Sequence, residues 1–483
     1  MEILTSNNSY FYDNNTGVIF TNYPILSSIM SIKNWTEMSE TEICNKFDDE
    51  FDIDEVIFYL KWLKKYNKFC KDSSSISSME LSKESLQTYL THSGFNQLIF
   101  SVTSDCNFRC SYCIYSDNFQ DFRNHSNKYM DFNIAKRAID IYLQHFIEKR
   151  KYNLFKKPAF SFYGGEPLLN FKLIKKIVSY IYSVYGDDVI FSITTNGSIL
   201  TEEICDYLID NNFSILISLD GDEKEHDRKR VDQYNQKTFN TVFNNVNYLI
   251  KKNYNNFSIN AVYDWNTDFI NCEKFFKKNN LKIGNVSPVD DTFTSSYYDK
   301  FTSNDYDQYA SFINDLKYDY SKFINEEDSY IYNLIEYPFI SLILDSNLIN
   351  VQRNFNEFTG TCVPGDKLFL NPNGDFFICE RVPEAMPIGD VFKGIDFDNI
   401  KKIIENFNSA MSFCKECKFS FICTKCYRDF MYDNNFEESK QICKDEEKIM
   451  KSALGNALEF MELYQNVMDT KHTKYLNFYN WRN

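Results

Sequence analysis

From residue 97 onward, apolar runs of strand length alternate with stretches whose apolar residues recur at helical spacing. The pattern predicts strands over 98–103, 159–163, 189–195, 214–219, 257–262 and 281–286. It predicts helices over 132–149, 171–185, 202–211, 238–252 and 268–278. Repeated strand–helix order implies an α/β fold with a parallel sheet, curved or closed, and helices outside. In such barrels the chemistry sits at the C-terminal ends of the strands.

The flanks read differently. Ser9-Tyr10-Phe11-Tyr12 and Val18-Ile19-Phe20, around an Asn-rich turn closed by Gly17, form a hairpin signal. Helical spacing follows over 41–47 and 54–67, with Thr41 and Asp54 as expected N-caps. Hairpin plus small helices suggests a winged-helix-like module, and the Ser-rich run at 71–80 reads as a linker. Residues 288–350 read as mixed helix and loop. Beyond 351 the periodicity fades, cysteines crowd in, and a last helix is expected over 443–468.

Composition narrows the class. With 483 residues, 43% hydrophobic and 25% charged, the chain is globular and long enough for about three domains of ~150 residues. A net charge of −16 argues against nucleic acid as partner. No uninterrupted apolar run approaches the ~18 residues of a membrane span. Met1-Glu2-Ile3-Leu4-Thr5 lacks the basic start and long apolar run of a secretory signal, so a cytoplasmic protein is expected. Glycines number only 14, so any cluster of them stands out.

The 14 cysteines carry the chemistry. A reducing cytoplasm would not keep them as disulfides. Cys44, Cys70, Cys205 and Cys272 stand alone and read as buried core residues. The other ten form two patterns. Cys106-x3-Cys110-x2-Cys113 directly follows the first barrel strand. Three thiolates on a tight loop can each bind one iron of a [4Fe–4S] cluster, leaving the fourth iron free. Zinc would want four ligands, and the loop holds no His. The second pattern is Cys362-x11-Gly374-x4-Cys379, then Cys414-x2-Cys417-x5-Cys423-x2-Cys426, then Cys443. Its five-residue spacer is too short for the usual zinc ribbon.

Polar motifs fall at the ends of the other strands. Gly164-Gly165-Glu166-Pro167 follows the second, Thr195-Asn196-Gly197 the third, and Ser218-Leu219-Asp220-Gly221 the fourth, with His226-Asp227-Arg228-Lys229-Arg230 beyond. Glycines let backbone approach a ligand, and a carboxylate can pair with an ammonium. No P-loop appears, since Gly360-Thr361-Cys362-Val363-Pro364-Gly365 is followed by Asp366 rather than Lys.

On these residues the sequence resembles a radical S-adenosylmethionine (SAM) peptide maturase with a SPASM extension. That is the thioether-forming ranthipeptide and sactipeptide type, related to the anaerobic sulfatase-maturing enzymes. The resemblance implies a partial (β/α)6 TIM-like barrel over 96–345, a leader-peptide module over 1–95 and a Cys-rich SPASM domain over 346–483. It implies SAM on the open iron of the Cys106, Cys110 and Cys113 cluster, cleaved by one electron to a 5′-deoxyadenosyl radical that removes a hydrogen atom. Gly164, Gly165 and Glu166 would hold the SAM amino group. Ser218 and Arg230 would contact its carboxylate, for which an Arg fork is suited. Asn196 and Asp220 complete the implied cofactor-binding set. His226 is read first as scaffold.

By the same resemblance, Cys414, Cys417, Cys423 and Cys443 would ligate one auxiliary [4Fe–4S] cluster, and Cys362, Cys379 and Cys426 another. That makes three clusters. Seven cysteines serve where eight would be needed, and residues 351–361 hold no further one. The open position suits a substrate thiolate; a non-Cys ligand or a distant residue such as Cys272 is the alternative. The spacing of two rather than three residues between Cys423 and Cys426 departs from the family pattern. Glu380 stands where the sulfatase-maturing relatives carry an Asp base, and would act as a base or pair with Arg381. Residues 1–95 would bind a precursor leader by adding a strand, or serve as a scaffold cap. The implied partners are a precursor peptide and a one-electron donor such as flavodoxin or ferredoxin, without nucleic acid or membrane. The expected reaction is a thioether crosslink from Cys. Formylglycine formation, carbon–carbon crosslinking and an iron–sulfur sensor without turnover are the alternatives.

Overall fold

The computed structural model describes residues 1–464 apart from 14–16, 48–49, 75–79, 120–122, 291–294, 323–328, 337, 340, 343–354, 356–360, 421, 424, 433–434 and 438–439. An N-terminal sheet of β1 (Glu2–Leu4), β2 (Ser9–Tyr12) and β3 (Ile19–Thr21) is antiparallel in that order. Three helices follow, α1 (Pro24–Ser31), α2 (Glu40–Cys44) and α3 (Ile53–Ser74). The expected hairpin is β2–β3, with its turn at 14–16 outside the described residues. Strand β1 was not expected, because three residues are too short to show alternation.

Two expected caps move. Ser39 closes a capping box on α2 in place of Thr41. Asp52 accepts from the amides of Asp54 and Glu55 at the start of α3, in place of Asp54. Helix α3 also runs to Ser74, into the stretch expected as a linker, whose residues 75–79 lie outside the described set.

The barrel strands are β4 (Gln97–Ser101), β5 (Ala159–Tyr163), β6 (Ile190–Thr195), β7 (Ser214–Ser218), β8 (Phe257–Tyr263) and β9 (Ile283–Pro288). They pair in parallel in chain order, as the pattern predicts. Between them lie α5 (Phe132–Arg150), α6 (Phe171–Tyr185), α7 (Glu202–Asp210), α8 (Glu223–Lys229), α9 (Phe239–Lys251) and α10 (Phe269–Lys278). Period-two alternation separates the faces of these strands. Phe100, Phe160, Phe162, Phe191 and Phe213 are buried on one face, with Tyr142 of α5 edge-on to Phe160 at 5.2 Å. The other face carries Gln97, Ser161 and Ser192, hydrogen-bonded in a row. Helix α4 (Lys83–His92) precedes the barrel but belongs to its core through Leu86 and Leu90. The change of packing thus comes before residue 95.

The sheet does not stop at β4. Strand β10 (Lys367–Leu370) pairs parallel to it, Lys367 opposite Gln97 and Leu370 opposite Phe100. Strands β11 (Asp375–Phe377), β12 (Gly389–Asp390) and β13 (Gly394–Ile395) continue antiparallel, giving ten strands in all. The Cys-rich region is therefore built onto the barrel sheet rather than set apart from it. These strands span two to four residues, too few to register as periodicity.

The chain closes on itself at the last described helix, Lys440–Leu463. Ile3 and Tyr12 pack with Phe419, Met450, Leu454 and Leu458. Helix α11 (Ser303–Asp319) joins the same junction through Lys317, buried and paired with Glu459. Ser6 and Tyr318 also donate to Glu459. Among the described residues no helix is long and apolar enough to cross a membrane.

Burial alone would raise the Glu459 carboxyl, but the Lys317, Ser6 and Tyr318 donors outweigh it and hold it at about 2. A depressed folded value means that stability is present above the unfolded value and is lost as pH falls through the folded one. Glu459→Gln should cost on the order of 3 kcal/mol at neutral pH, and the gap to wild type should close as pH falls from about 4.5 toward 2. Urea denaturation at several pH values checks this; a gap independent of pH would contradict it.

Candidate active site

The loop after β4 carries Cys106, Cys110 and Cys113 and is pinned on both sides. On one side the amides of Gly165 and Glu166 donate to the Thr103 and Asp105 carbonyls at 2.9 and 2.8 Å. On the other, Arg109 and Ser111 donate to the Val231 and Lys229 carbonyls at 2.7 and 3.0 Å. A Cβ on Gly165 would lie 2.1 Å from the Asp105 carbonyl oxygen. This glycine thus admits the cysteine loop itself.

Burial pushes the Cys106 and Cys113 thiols up, and Cys110 up to about 12 although Arg230 opposes it. Donors already face the sulfurs. The Phe108 amide lies 3.4 Å from Cys106 Sγ, and Arg230 Nη1 lies 3.7 Å from Cys110 Sγ.

The strand-end motifs surround this loop. Glu166 is fully buried and accepts from the Asn196 amide and Thr195 hydroxyl, both at 2.7 Å, and from the Leu168 amide at 3.0 Å. Burial pushes its carboxyl up to about 7 against those donors. Asn196 Nδ2 donates to Asn107 Oδ1 at 2.9 Å, tying the exit of β6 to the cysteine loop. Ser218 is buried at the end of β7.

Asp220 is completely buried and accepts from the Tyr112 hydroxyl at 3.1 and 3.0 Å and from the Val262 amide at 3.1 Å. Burial would raise its carboxyl, but Arg230, whose Nε is 3.3 Å away, and Lys229 hold it below the usual range. The tie of Tyr112 to Asp220 was not legible in the sequence.

His226 behaves as scaffold. It is buried, its Nε2 is 3.1 Å from Thr238 Oγ1, and burial drives it down to about 3, so the ring is neutral. Asp227 accepts from the amides of Thr238 and Phe239, fixing the start of α9. The cap of α8 itself is Asp222.

The second cysteine pattern falls into two neighbourhoods. Cys362 lies within electrostatic reach of Cys379 and Cys426, and Cys414 within reach of Cys443, Cys423 and Cys417. The latter four line a cavity of about 300 Å³ with Phe407, Met411 and other apolar side chains. Burial pushes Cys414 and Cys423 up to about 12 and Cys426 up to about 11.

The segment that follows β11 runs against the barrel. Arg381 Nη2 and Arg428 Nη1 both reach Asp290, just past β9, at 3.0 Å. Each arginine stands two residues beyond a cysteine of the Cys362 set. Arg381 therefore pairs with Asp290, and Glu380 keeps a buried Oε2 with no hydrogen-bond partner among the described residues. Cys272 is buried on α10, 3.7 Å from the Asp220 carbonyl. Cys44 and Cys205 are buried as expected, and the Cys70 side chain lies outside the described residues.

Among the described residues no three His, Cys, Asp or Glu side chains converge on one metal ion. Three separate groups of desolvated thiols, with N–H donors aimed at sulfur, fit anionic thiolate-ligated clusters. The Arg381 amide, 3.4 Å from Cys379 Sγ, is a further such donor. A parallel partial barrel with a three-cysteine loop directly after its first strand defines the class as an α/β enzyme with a metal-ready thiol site.

The Radical SAM superfamily pattern matches residues 100–264. The cysteine-type anaerobic sulfatase-maturating enzyme of Clostridium novyi is 30% identical over 351 residues, covering 68% of this chain and 86% of that one. The radical SAM cyclopropyl synthase of Paramaledivibacter caminithermalis is 25% identical over 288 residues, 56% of this chain and 58% of that one. In fold, native anSMEcpe with bound AdoMet and a Cp18Cys peptide matches over 78% of this chain and 98% of that one, with a TM-score of 0.56 and 20% identity. The chain belongs to the radical SAM superfamily, in the group of enzymes that modify peptides and proteins.

Gly165→Ala should force Asp105 and Cys106 apart from the β5 exit, because the clash is with backbone. Iron bound by this loop should be lost while the fold stays intact. Iron analysis beside circular dichroism checks this; full iron content would show that the loop can yield.

Proposed function

We propose that this enzyme installs a thioether crosslink in a ribosomally made precursor peptide. The observation that carries the reading is that Arg381 and Arg123 tie the segment after Cys379 to the exit of β9 and to the stretch after the Cys106–Cys113 loop. SAM bound at that loop, with one electron from a flavodoxin or ferredoxin, supplies a 5′-deoxyadenosyl radical able to take a hydrogen atom.

The chain's own residues do the rest. Glu166, Gly164 and Gly165 hold the SAM amino group, and Ser218 and Arg230 its carboxylate, with Asn196 and Asp220 fixing those neighbours. Cys362, Cys379 and Cys426 hold one auxiliary cluster, and Cys414, Cys417, Cys423 and Cys443 the other. With three cysteines for four irons, the first of these sites has a place for a substrate thiolate, a suitable soft ligand. Glu380, with its unpartnered buried oxygen, takes a proton from the nucleophile. The N-terminal sheet and helices form a winged-helix-like leader module, with β3 as the edge that a leader strand extends, in a cytoplasmic enzyme.

A second reading is oxidation of Cys or Ser to formylglycine. It is favoured by the names of the relatives, including a serine-type anaerobic sulfatase-maturating enzyme of Bacteroides thetaiotaomicron at 22% identity, and by a carboxylate at position 380. The products separate the readings. A hydrazine-reactive aldehyde marks formylglycine, and a cysteine that resists alkylation marks a thioether.

Anaerobically reconstituted protein should hold about 12 iron per chain, from three four-iron clusters. Replacing Cys106, Cys110 and Cys113 by Ala should leave about 8 iron and end 5′-deoxyadenosine formation. Cys379→Ala should keep that formation and yield no crosslinked peptide. Stoichiometric zinc with about 4 iron would overturn the two auxiliary clusters.

The leader claim has its own test. In β3 the Val18 carbonyl and the Asn22 amide face β2, so by alternation Thr21 directs its amide outward. Thr21→Pro should weaken precursor binding, read by fluorescence anisotropy with a labelled leader, and leave SAM cleavage unchanged.

A further inference from the structure

Arg123 lies ten residues past Cys113 and belongs to none of the motifs. Its side chain is buried, with only 5% of the residue exposed. The guanidinium lies 4.3 Å from the ring of Phe369 on β10 and 5.9 Å from that of Tyr115, two residues past Cys113. Nη2 donates to the Val382 carbonyl, three residues past Cys379, at 2.9 Å. Nε lies 3.8 Å from the partly exposed Glu384 carboxylate. That is too long for a hydrogen bond, and neither Nε nor Nη1 makes one among the described residues.

A buried guanidinium set among a backbone carbonyl, the Tyr115 and Phe369 rings and a carboxylate 3.8 Å away has no counter-charge in direct contact. Its surroundings name the missing charge. One side is the loop of Cys113, the other the segment of Cys379. Thiolate-ligated clusters at those two places would each carry net negative charge. We propose that Arg123 is the shared counter-charge of the SAM cluster and the Cys362, Cys379 and Cys426 cluster, and that it sets the reduction potentials of both. It is a positioning residue for charge, not a catalytic one. Adding an electron makes a cluster more negative, and a fixed cation beside it favours that state.

The proposal rests on the cluster assignment above, and the test separates the two. The holoenzyme is titrated with dithionite while electron paramagnetic resonance follows each reduced cluster, and iron is measured on the same samples. Arg123→Gln should retain about 12 iron. Its clusters should both be harder to reduce by at least about tenfold in the equilibrium constant, which is about 59 mV for a one-electron couple. Arg123→Lys, which keeps the charge and loses the fork, should recover most of the shift.

Full iron with an unmoved potential at either cluster overturns the shared role, as does a Lys variant that shifts as far as the Gln one. Wild-type iron short of two such clusters would instead overturn the assignment. Should Arg123→Gln fail to load, Glu384→Gln carries the test on a partly exposed residue. Freeing Arg123 from its neighbouring carboxylate should make both clusters easier to reduce, and unchanged potentials would refute the proposal.

Discussion

The parallel pairing of β10 with β4 is the constraint on which the site depends. Four residues, Lys367 to Leu370, register against Gln97 to Phe100, so the sheet gains its edge from a stretch about 270 residues further along. Strand β4 leads directly into the loop of Cys106, Cys110 and Cys113. The hairpin of β10 and β11 leads directly into Cys379 and Glu380. One shared ladder therefore ties the strands leading into both groups of thiols into one sheet. Asp290 then fixes the far side, taking Arg381 and Arg428 onto the exit of the last barrel strand.

Within that frame the electrostatics run in one direction. Nearly every cysteine of the two patterns is made a poorer acid by burial. A thiolate there is stable only with a cation beside it, and Arg230, Arg123 and backbone amides supply a small part of what is needed. Metal would supply the rest, which couples filling the sites to the stability of the loops that hold them. Glu166, Asp220 and His226 have a different task. They are buried and hydrogen-bonded to neighbouring strands and helices, which helps hold the strand ends in register around the cysteine loop.

The six barrel strands and five of the helices between them were legible to within a few residues, because each is long enough for its period to show and each pair is local; the seven-residue α8 was not. The cysteine groups were legible because spacing and position after a strand carry chemical information. Much of what was not legible depends on contacts distant in sequence, although short or unpatterned helices such as α1, α4 and α8 were missed too. Strand β1 and strands β10 to β13 are short and exist only through their partners. Ser39 and Asp52 cap helices where Thr41 and Asp54 looked equally able, since the choice turns on where the preceding chain enters. Arg123 and Asp290 carry no motif, and their roles follow from what β10 and the segment after it bring alongside.

The N-terminal sheet raises a matter of timing. Ile3 and Tyr12 rest on Leu454, Leu458 and Phe419, so these strands have their apolar face covered by residues made about 400–450 positions later. At roughly 5–20 residues per second, translation leaves them waiting for tens of seconds. During that interval the helices of residues 24–63, which have a core of their own, can fold, and so can the barrel through β9. The β1–β3 sheet cannot be completed until Phe419 and Leu454 emerge. Its apolar face stays uncovered, and the sheet marginal, for as long as those residues are missing.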